Sequence, residues 1–359
     1  MKRNINDSPY QLDSNEKQAY MLSILNDRLI HHYQNCSPYQ RIVEKLFSIT
    51  QYNTLTSYPY LPVGLFKTVK LASVPDDKII KTLTSSGTTS KEVSKIYLDR
   101  ENAMNQSKTL VQIVTDWIGK ARLPMIIVDH KNVLKDRSSF NARGAGIVGF
   151  SQFGYDHFYL LDDNMIPDWE GLGKFLHKHG NDKIFIFGFT FMIWQYFYQV
   201  AVKEQITLSL GNSILIHGGG WKKLLENAVG TAEFRQCLEH QFGIQHIHNY
   251  YGMVEQVGSI FMECSEGFLH APDYAEIIIR DPNNLSPVNI GVEGIVQTLS
   301  TLSSSYPGNS LLTEDLGTIH GKDDCKCGRK GTYFTISGRI PSAELRGCSD
   351  THAYNSSFK

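Results

Sequence analysis

The stretch "KTLTSSGTTSKEVSKIYL" (81–98) crowds Thr84, Ser85, Ser86, Gly87, Thr88, Thr89 and Lys91 into one short loop. Hydroxyl donors, backbone N–H groups exposed by a glycine turn and a lysine can together neutralise phosphoryl oxygens. The G-x-x-x-x-G-K-[ST] spacing of a Walker loop is absent, so on pattern alone a Ser/Thr-rich surface turn competes with a phosphate loop. A second constellation joins "ECSEGFLH" to "CKCGRKG": Cys264, His270, Cys325 and Cys327 offer three thiolates and one imidazole. That donor set suits a closed tetrahedral structural zinc, with unliganded thiols of a reducing compartment as the other reading. Cys348, in "SAELRGCSDTHAYNSSFK", is either a stray thiol near a terminus or a nucleophile and acyl carrier on a mobile arm. "GFSQFG" (149–154) is spaced G-x-S-x-x-G and not as a nucleophile elbow, which argues against a serine hydrolase.

The hydroxyl-rich loop resembles the phosphate loop of the adenylate-forming superfamily, and three more motifs of that superfamily follow in order: "NYYGMVEQVGS" (249–259), "LLTEDLG" (311–317) and "SGRIPSAELRG" (337–347). The closer resemblance is to the LuxE-type acyl-protein synthetases, relatives of the phenylacetate–CoA ligases. It is carried by "LPVGLFK" (61–67), "SSGTTS" (85–90), "HGGGWK" (217–222), "YGMVEQ" (251–256) and "SAELRGC" (342–348), which together span nearly the whole chain.

The resemblance implies ATP and Mg2+, with Tyr251 and Gly252 at the adenine, Glu255 on the magnesium, Asp315 on the ribose hydroxyls and Arg339 on ribose or phosphate. Gly218, Gly219 and Gly220 leave room for a flat ring opposite Tyr251, while His217 and Lys222 stand where acyl carboxylate or phosphate would pass, a structural role being the alternative for each. Val254 takes the place of the superfamily's usual threonine, a departure the LuxE-type pattern shares. Some phenylacetate–CoA ligase relatives hold zinc on similar cysteines. The activity implied is ATP-dependent conversion of a fatty acid to acyl-AMP, transfer of the acyl group to Cys348, and delivery to an acyl reductase that makes the aldehyde, as in a bioluminescence-type fatty-acid reductase complex. An acyl carrier or thioesterase would be the further protein partner. Two other readings stay open: an acyl- or aryl-CoA ligase or carrier-protein loader, and a silent scaffold, which would need neither Glu255, Asp315 nor Arg339.

Elements able to position these residues are legible. Asp13 to Glu16 is a capping-box pattern, and Leu22, Leu25, Leu29 and Ile30 recur at helical spacing, predicting one or two helices over 13–48. "PMIIVD" (124–129), "KIFIFGF" (183–189) and "SILIHGGG" (213–220) read as buried parallel strands separated by helix-length segments. Aromatic-rich "FIFGFTFMIWQYFY" (185–198) reads mostly as core, with an acyl tunnel as the alternative. From about residue 260, "AEIIIRD", "GVEGIVQTL" and "GTYFTIS" are β-rich pieces broken by turn signals.

The expected architecture is therefore α/β: an adenylate-forming domain over 1–337, made of a helical part (1–80), an α/β nucleotide-binding part (81–258) and a β-rich part (259–337), then a hinge and short mobile tail (338–359) with Cys348. On this expectation the superfamily's C-terminal domain is almost entirely missing, and Lys91 or Lys222 shares the role of its catalytic lysine. With 359 residues, 41% of them hydrophobic, the chain can bury a large core. A net charge of -1 gives no footprint for nucleic acid, and no apolar run approaches a membrane span. Six cysteines in such a length are too sparse for a disulfide framework, so a cytoplasmic setting is expected.

Overall fold

In a computed structural model of the chain, which describes residues 8–85, 93–134, 142–221 and 229–340, the capping box at Asp13 is formed. The Asp13 carboxylate accepts from the backbone N–H groups of Asn15 and Glu16, both at 2.9 Å, and Glu16 accepts from the N–H of Asp13. These bonds satisfy the orphan donors that start the helix Ser14–Asn35. Met21, Leu22, Leu25 and Leu29 face the core, whereas Ile30 is 46% exposed. The expectation that Ile30 belongs to the apolar stripe is thus corrected: it lies about 100° around the helix from Leu29, off the buried face. A second helix, Ser37–Leu46, follows with proline in its first turn.

The described residues divide into two units. The first holds residues 8–85, 93–117 and 251–340, the second residues 118–134, 142–221 and 229–250. In the first, six strands pair antiparallel in the order Ala275–Arg280, Glu293–Ser300, Ser310–Lys322, Thr332–Arg339, Leu269–His270 and Phe261–Glu263, and the short strand Leu61–Pro62 adds in parallel to Ser310–Lys322. The two N-terminal helices pack their apolar faces into a core with Ile278, Leu299 and Leu311 of this sheet and with Tyr306 of the loop before Ser310–Lys322. Truncating a residue such as Leu25, which is fully buried there, costs about 2–5 kcal/mol for a leucine-to-alanine change.

In the second unit the strands run parallel in the order His246–Tyr251, Ser213–Gly218, Ile184–Phe189, Leu123–His130 and Gly154–Leu161. Three of these are the apolar runs the sequence marks. Gly154–Leu161 was not foreseen, because an edge strand needs only one covered face and its start exposes Tyr155, Asp156 and His157. The aromatic run at 185–198 becomes the buried strand Ile184–Phe189 and a helical segment with a π-helical turn at Ile193–Tyr198, whose Trp194 and Phe197 are buried. No helix among the described residues is long and apolar enough to cross a membrane.

Candidate active site and metal centre

Antiparallel pairing sets Asp315 directly across from Arg339, so both side chains leave the sheet on one side. Arg339 Nε donates to Asp315 Oδ1 at 3.0 Å, and the Tyr251 hydroxyl donates to Asp315 Oδ2 at 2.7 Å. A carboxylate has about four acceptor positions, so Asp315 can still accept from a vicinal pair of hydroxyls. Burial and the nearby Asp315 charge raise the Tyr251 phenol well above its usual range, keeping it a donor. The Tyr251 ring packs beside Phe261 at 6.0 Å and edge-on to Phe334 at 6.4 Å.

Glu255 follows Tyr251 by four residues and is buried in the short turn Val254–Gln256. Burial raises its carboxyl group, opposed by the nearby Ser94 side chain and by the positive charges of Lys67 and Arg339. A desolvated carboxylate of this kind is stabilised by a nearby cation, and Mg2+ is commonly held by one or two carboxylates together with substrate phosphates. Glu255 therefore fits a magnesium ligand. Thr84 and Ser85 end a hairpin of Lys81–Thr84 with Lys95–Leu98, closed by Ser85 N–H to Ser94 O at 3.1 Å and Ser94 N–H to Ser85 Oγ at 3.0 Å. Ser86, Gly87, Thr88, Thr89 and Lys91 lie outside the described residues, as do Lys222 and Cys348. Ser94, which the motif reading did not single out, is buried and pairs through its backbone with Ser85.

In the parallel unit, Gly218 ends its strand level with Tyr250, and a Cβ there would lie 2.3 Å from the Tyr250 ring. Gly219 has φ +75°, a left-handed conformation that favours glycine. Gly220 completes the run. His217 is buried with Nδ1 2.9 Å from the Thr190 hydroxyl and its ring 4.6 Å from that of Phe234. Burial, aided by the Arg235 charge, lowers its pKa to about 3, so the imidazole is neutral.

Cys264, His270, Cys325 and Cys327 do converge: their four ligand atoms all lie within 4.8 Å of one another. Cys264 Sγ is 3.9 Å from Cys325 Sγ, and Cys327 Sγ is 3.3 Å from His270 Nε2. Each pair of segments is turned by a positive-φ glycine, Gly267 at +82° and Gly328 at +83°, whose N–H closes back on the carbonyl of Cys264 or Cys325. Burial lowers His270 to about 4, leaving a neutral imidazole able to ligate. Around the cluster, Arg329 stacks on Trp117 at 3.8 Å and pairs with Asp116 at 2.9 Å, while buried Lys17 donates to Ala271 O at 3.0 Å.

Motif reading also passed over a polar cluster in the parallel unit. Asp129 and Arg143 are both buried, with Arg143 Nε 3.1 Å from Asp129 Oδ2 and Arg143 Nη2 3.3 Å from His130 Nε2. Its only sequence signal was the "DH" that ends the apolar run at 124–129.

The profile of the family described as acyl-protein synthetase, LuxE matches residues 3–356. Two relatives, each named long-chain-fatty-acid–luciferin-component ligase, are 24% identical to this chain. The one from Vibrio harveyi aligns over 357 residues, 95% of this chain and 89% of its own. The one from Aliivibrio fischeri aligns over 324 residues, 87% and 82%. Among solved structures, an open conformation of 2-hydroxyisobutyryl-CoA ligase with 2-HIB-AMP and CoA matches with a TM-score of 0.70 at 16% identity, over 97% of this chain and 83% of that one. The same ligase in the postadenylation state gives 0.72 at 16% identity, over 95% and 74%. At such identity these structures show the fold, that of the adenylate-forming ligases. The chain belongs to the LuxE family of acyl-protein synthetases.

Proposed function

We propose that this protein uses ATP to activate a long-chain fatty acid and then carries the acyl group as a thioester on Cys348 for an acyl reductase partner. The observation that supports it most is the joined set Tyr251–Asp315–Arg339 with buried Glu255 close in sequence, found in a member of a family of acyl-protein synthetases. The fatty-acid substrate is taken from the names of the two relatives. Magnesium, when bound, neutralises phosphate charge, and Glu255 would hold it.

In this reading Asp315 accepts hydrogen bonds from the ribose hydroxyls while Tyr251 and Arg339 fix its orientation. The loop of Thr84 to Thr89, with Lys91, donates to the phosphates. A carboxylate oxygen of the acid attacks the α-phosphorus and pyrophosphate leaves, giving the mixed anhydride. Negative charge that builds on phosphoryl oxygens in this step is met by Arg339 and the loop donors. The Cys348 thiolate then attacks the acyl carbonyl carbon and AMP leaves, with Arg346 close enough in sequence to favour the thiolate. Lys222 and His217 flank the glycine run in sequence, and neutral His217 holds its ring against Phe234. Cys264, His270, Cys325 and Cys327 would hold a structural zinc, since their spacing and neutral imidazole suit four-coordination. A reducing cytoplasm suits cysteines that form no disulfide among the described residues.

The test is incubation with ATP, magnesium and radiolabelled tetradecanoate. Label on the protein that neutral hydroxylamine removes, and that Cys348→Ser lacks, is the expected result. Label that resists hydroxylamine or persists in the variant refutes the thioester, and rapid formation of a CoA ester would favour a CoA ligase instead.

A further inference from the structure

The strand Leu123–His130 is flanked by Gly154–Leu161 on one side and by Ile184–Phe189 on the other. The chain leaves it toward the first and later builds outward from the second, so the strand order reverses there. In open parallel sheets, ligands bind beyond the carboxyl ends of the strands at such a reversal. At that place the sequence puts Asp129 and His130.

Register defines what surrounds them. Ile127 pairs with Phe187; two residues further along these strands stand Asp129 and Phe189, and Phe189 pairs with Gly218, which pairs with Tyr250. Four neighbouring strands thus end in a row of one carboxylate, one phenyl ring, one glycine and one phenol. The helix Ala142–Ser151 covers this face. Its Phe150 stacks on Phe187 at 4.3 Å, and a Cβ at Gly146 would touch Phe189 at 3.2 Å. Arg143 stands one turn before Gly146 on that same helix face and reaches Asp129. An aromatic wall and a buried ion pair therefore share one face of the sheet.

The ion pair is incompletely satisfied. Asp129 is 1% exposed and Arg143 5%. Asp129 Oδ2 and Arg143 Nε are buried with no well-aligned hydrogen bond among the described residues, although they are only 3.1 Å apart, and His130 Nδ1 lies 3.5 Å from the exposed Asp163 carboxylate. A guanidinium carries five N–H donors, and among the described residues the side chains within reach of this one are Asp129 and His130. Buried donors and acceptors left open in this way are costly unless a ligand or water completes them. Because the carboxylate offsets the guanidinium charge, the cluster suits a neutral group that both accepts and donates.

We propose that Asp129 and Arg143 form a polar subsite for the acyl part of the substrate, selecting acids whose chain bears a hydroxyl or amide group over unsubstituted fatty acids. In it Arg143 donates to the substituent oxygen and Asp129 Oδ2 accepts from its O–H or N–H, while Phe189 and Phe150 cover the adjoining methylenes. This specificity rests on the acid-activating reading above. A site built to hydrogen-bond such a group discriminates strongly against the analogue that lacks it.

ATP–pyrophosphate exchange is measured with tetradecanoate and 3-hydroxytetradecanoate, with butanoate and 3-hydroxybutanoate, and with N-acetyl-β-alanine. Heat stabilisation by each acid without ATP is measured alongside. The expected result is a kcat/KM at least about tenfold higher for the best substituted acid than for its unsubstituted twin, and loss of that ratio in Asp129→Asn/Arg143→Met and in Arg143→Lys. The double variant removes both charges together and so leaves no lone buried ion to unfold the chain. Tetradecanoate as the best acid, or variants that slow every acid in the same proportion, would overturn the subsite and leave the ion pair a packing device. Selective stabilisation by the substituted acids with no exchange for any acid would support the subsite while rejecting adenylation. Neither exchange nor selective stabilisation rejects both.

Discussion

Removing metal from the Cys264–His270–Cys325–Cys327 cluster should lower the melting temperature of one unit of this protein and leave the other in place. A tetrahedral zinc with Zn–S bonds near 2.3 Å and a Zn–N bond near 2.05 Å needs S···S separations of about 3.8 Å and S···N of about 3.6 Å. The cluster shows 3.9 Å between Cys264 and Cys325 and 3.3 Å between Cys327 and His270. Small adjustments of side-chain torsions would therefore complete the site. Free metal at roughly a hundred to a thousand times the dissociation constant adds about 2.7–4.1 kcal/mol to the folded state by mass action. The cluster belongs to the unit that contains residues 251–340, which has on the order of 200 residues, so its unfolding entropy is about 0.4 kcal/mol per degree. Dividing the two gives a fall of about 6–10 °C on chelation. Elemental analysis should find about one zinc per chain, and calorimetry with and without a chelator reads the shift. Re-added zinc should restore the wild type but not Cys264→Ser. Protein that purifies without a transition metal and melts unchanged in chelator would refute the site.

Tyr251→Phe keeps the ring and deletes the hydroxyl that donates to Asp315; losing a hydrogen bond to a charged group, about 1.5 kcal/mol at the low end, should raise the KM for ATP about tenfold with little change in the KM for the acid. An unchanged KM for ATP would remove Asp315 and Tyr251 from the nucleotide site. Gly218→Ala places a methyl group 2.3 Å from the Tyr250 ring, and urea unfolding should register about 1–3 kcal/mol of overpacking; an unshifted midpoint would contradict the close approach. His32 and His217 are both held neutral by burial, with pKa values lowered from 6.5 to about 3. The unfolded chain takes up these protons first, so the stability is intact above about pH 6.5 and is lost as pH falls toward about 3, by about 2 kcal/mol per histidine at pH 5. The slope of stability against pH between 6.5 and 5 should flatten in His32→Gln/His217→Gln, and an equal slope would refute the assignment.

The residue pattern alone determined much of this protein. Asp13 and Glu16 announced a helix start because capping is local chemistry, completed within three residues. The runs at 124–129, 183–189 and 213–220 announced buried parallel strands because both faces of such strands are covered, so most of their positions are apolar. The cysteine and histidine spacing announced a cluster because donor types with that chemistry rarely gather without a role. Ile30 was misplaced, since a helix face is fixed by what packs on it and not by apolarity. The edge strand Gly154–Leu161 stayed hidden because its exposed start is too polar to show periodicity.

Only the tertiary structure decided the partnerships. The hydroxyl of Tyr251 meets Asp315 across 64 residues, and Arg339 meets it through strand register that no spacing rule encodes. Asp129 showed in the sequence only as the end of an apolar run, with nothing to join it to Arg143; helix packing buries them together. Sequence carries the short-range terms, capping, periodicity and donor type, because those act between neighbours. Which side chains share a buried volume is set by long-range packing, and that is where the candidate site acquires its geometry.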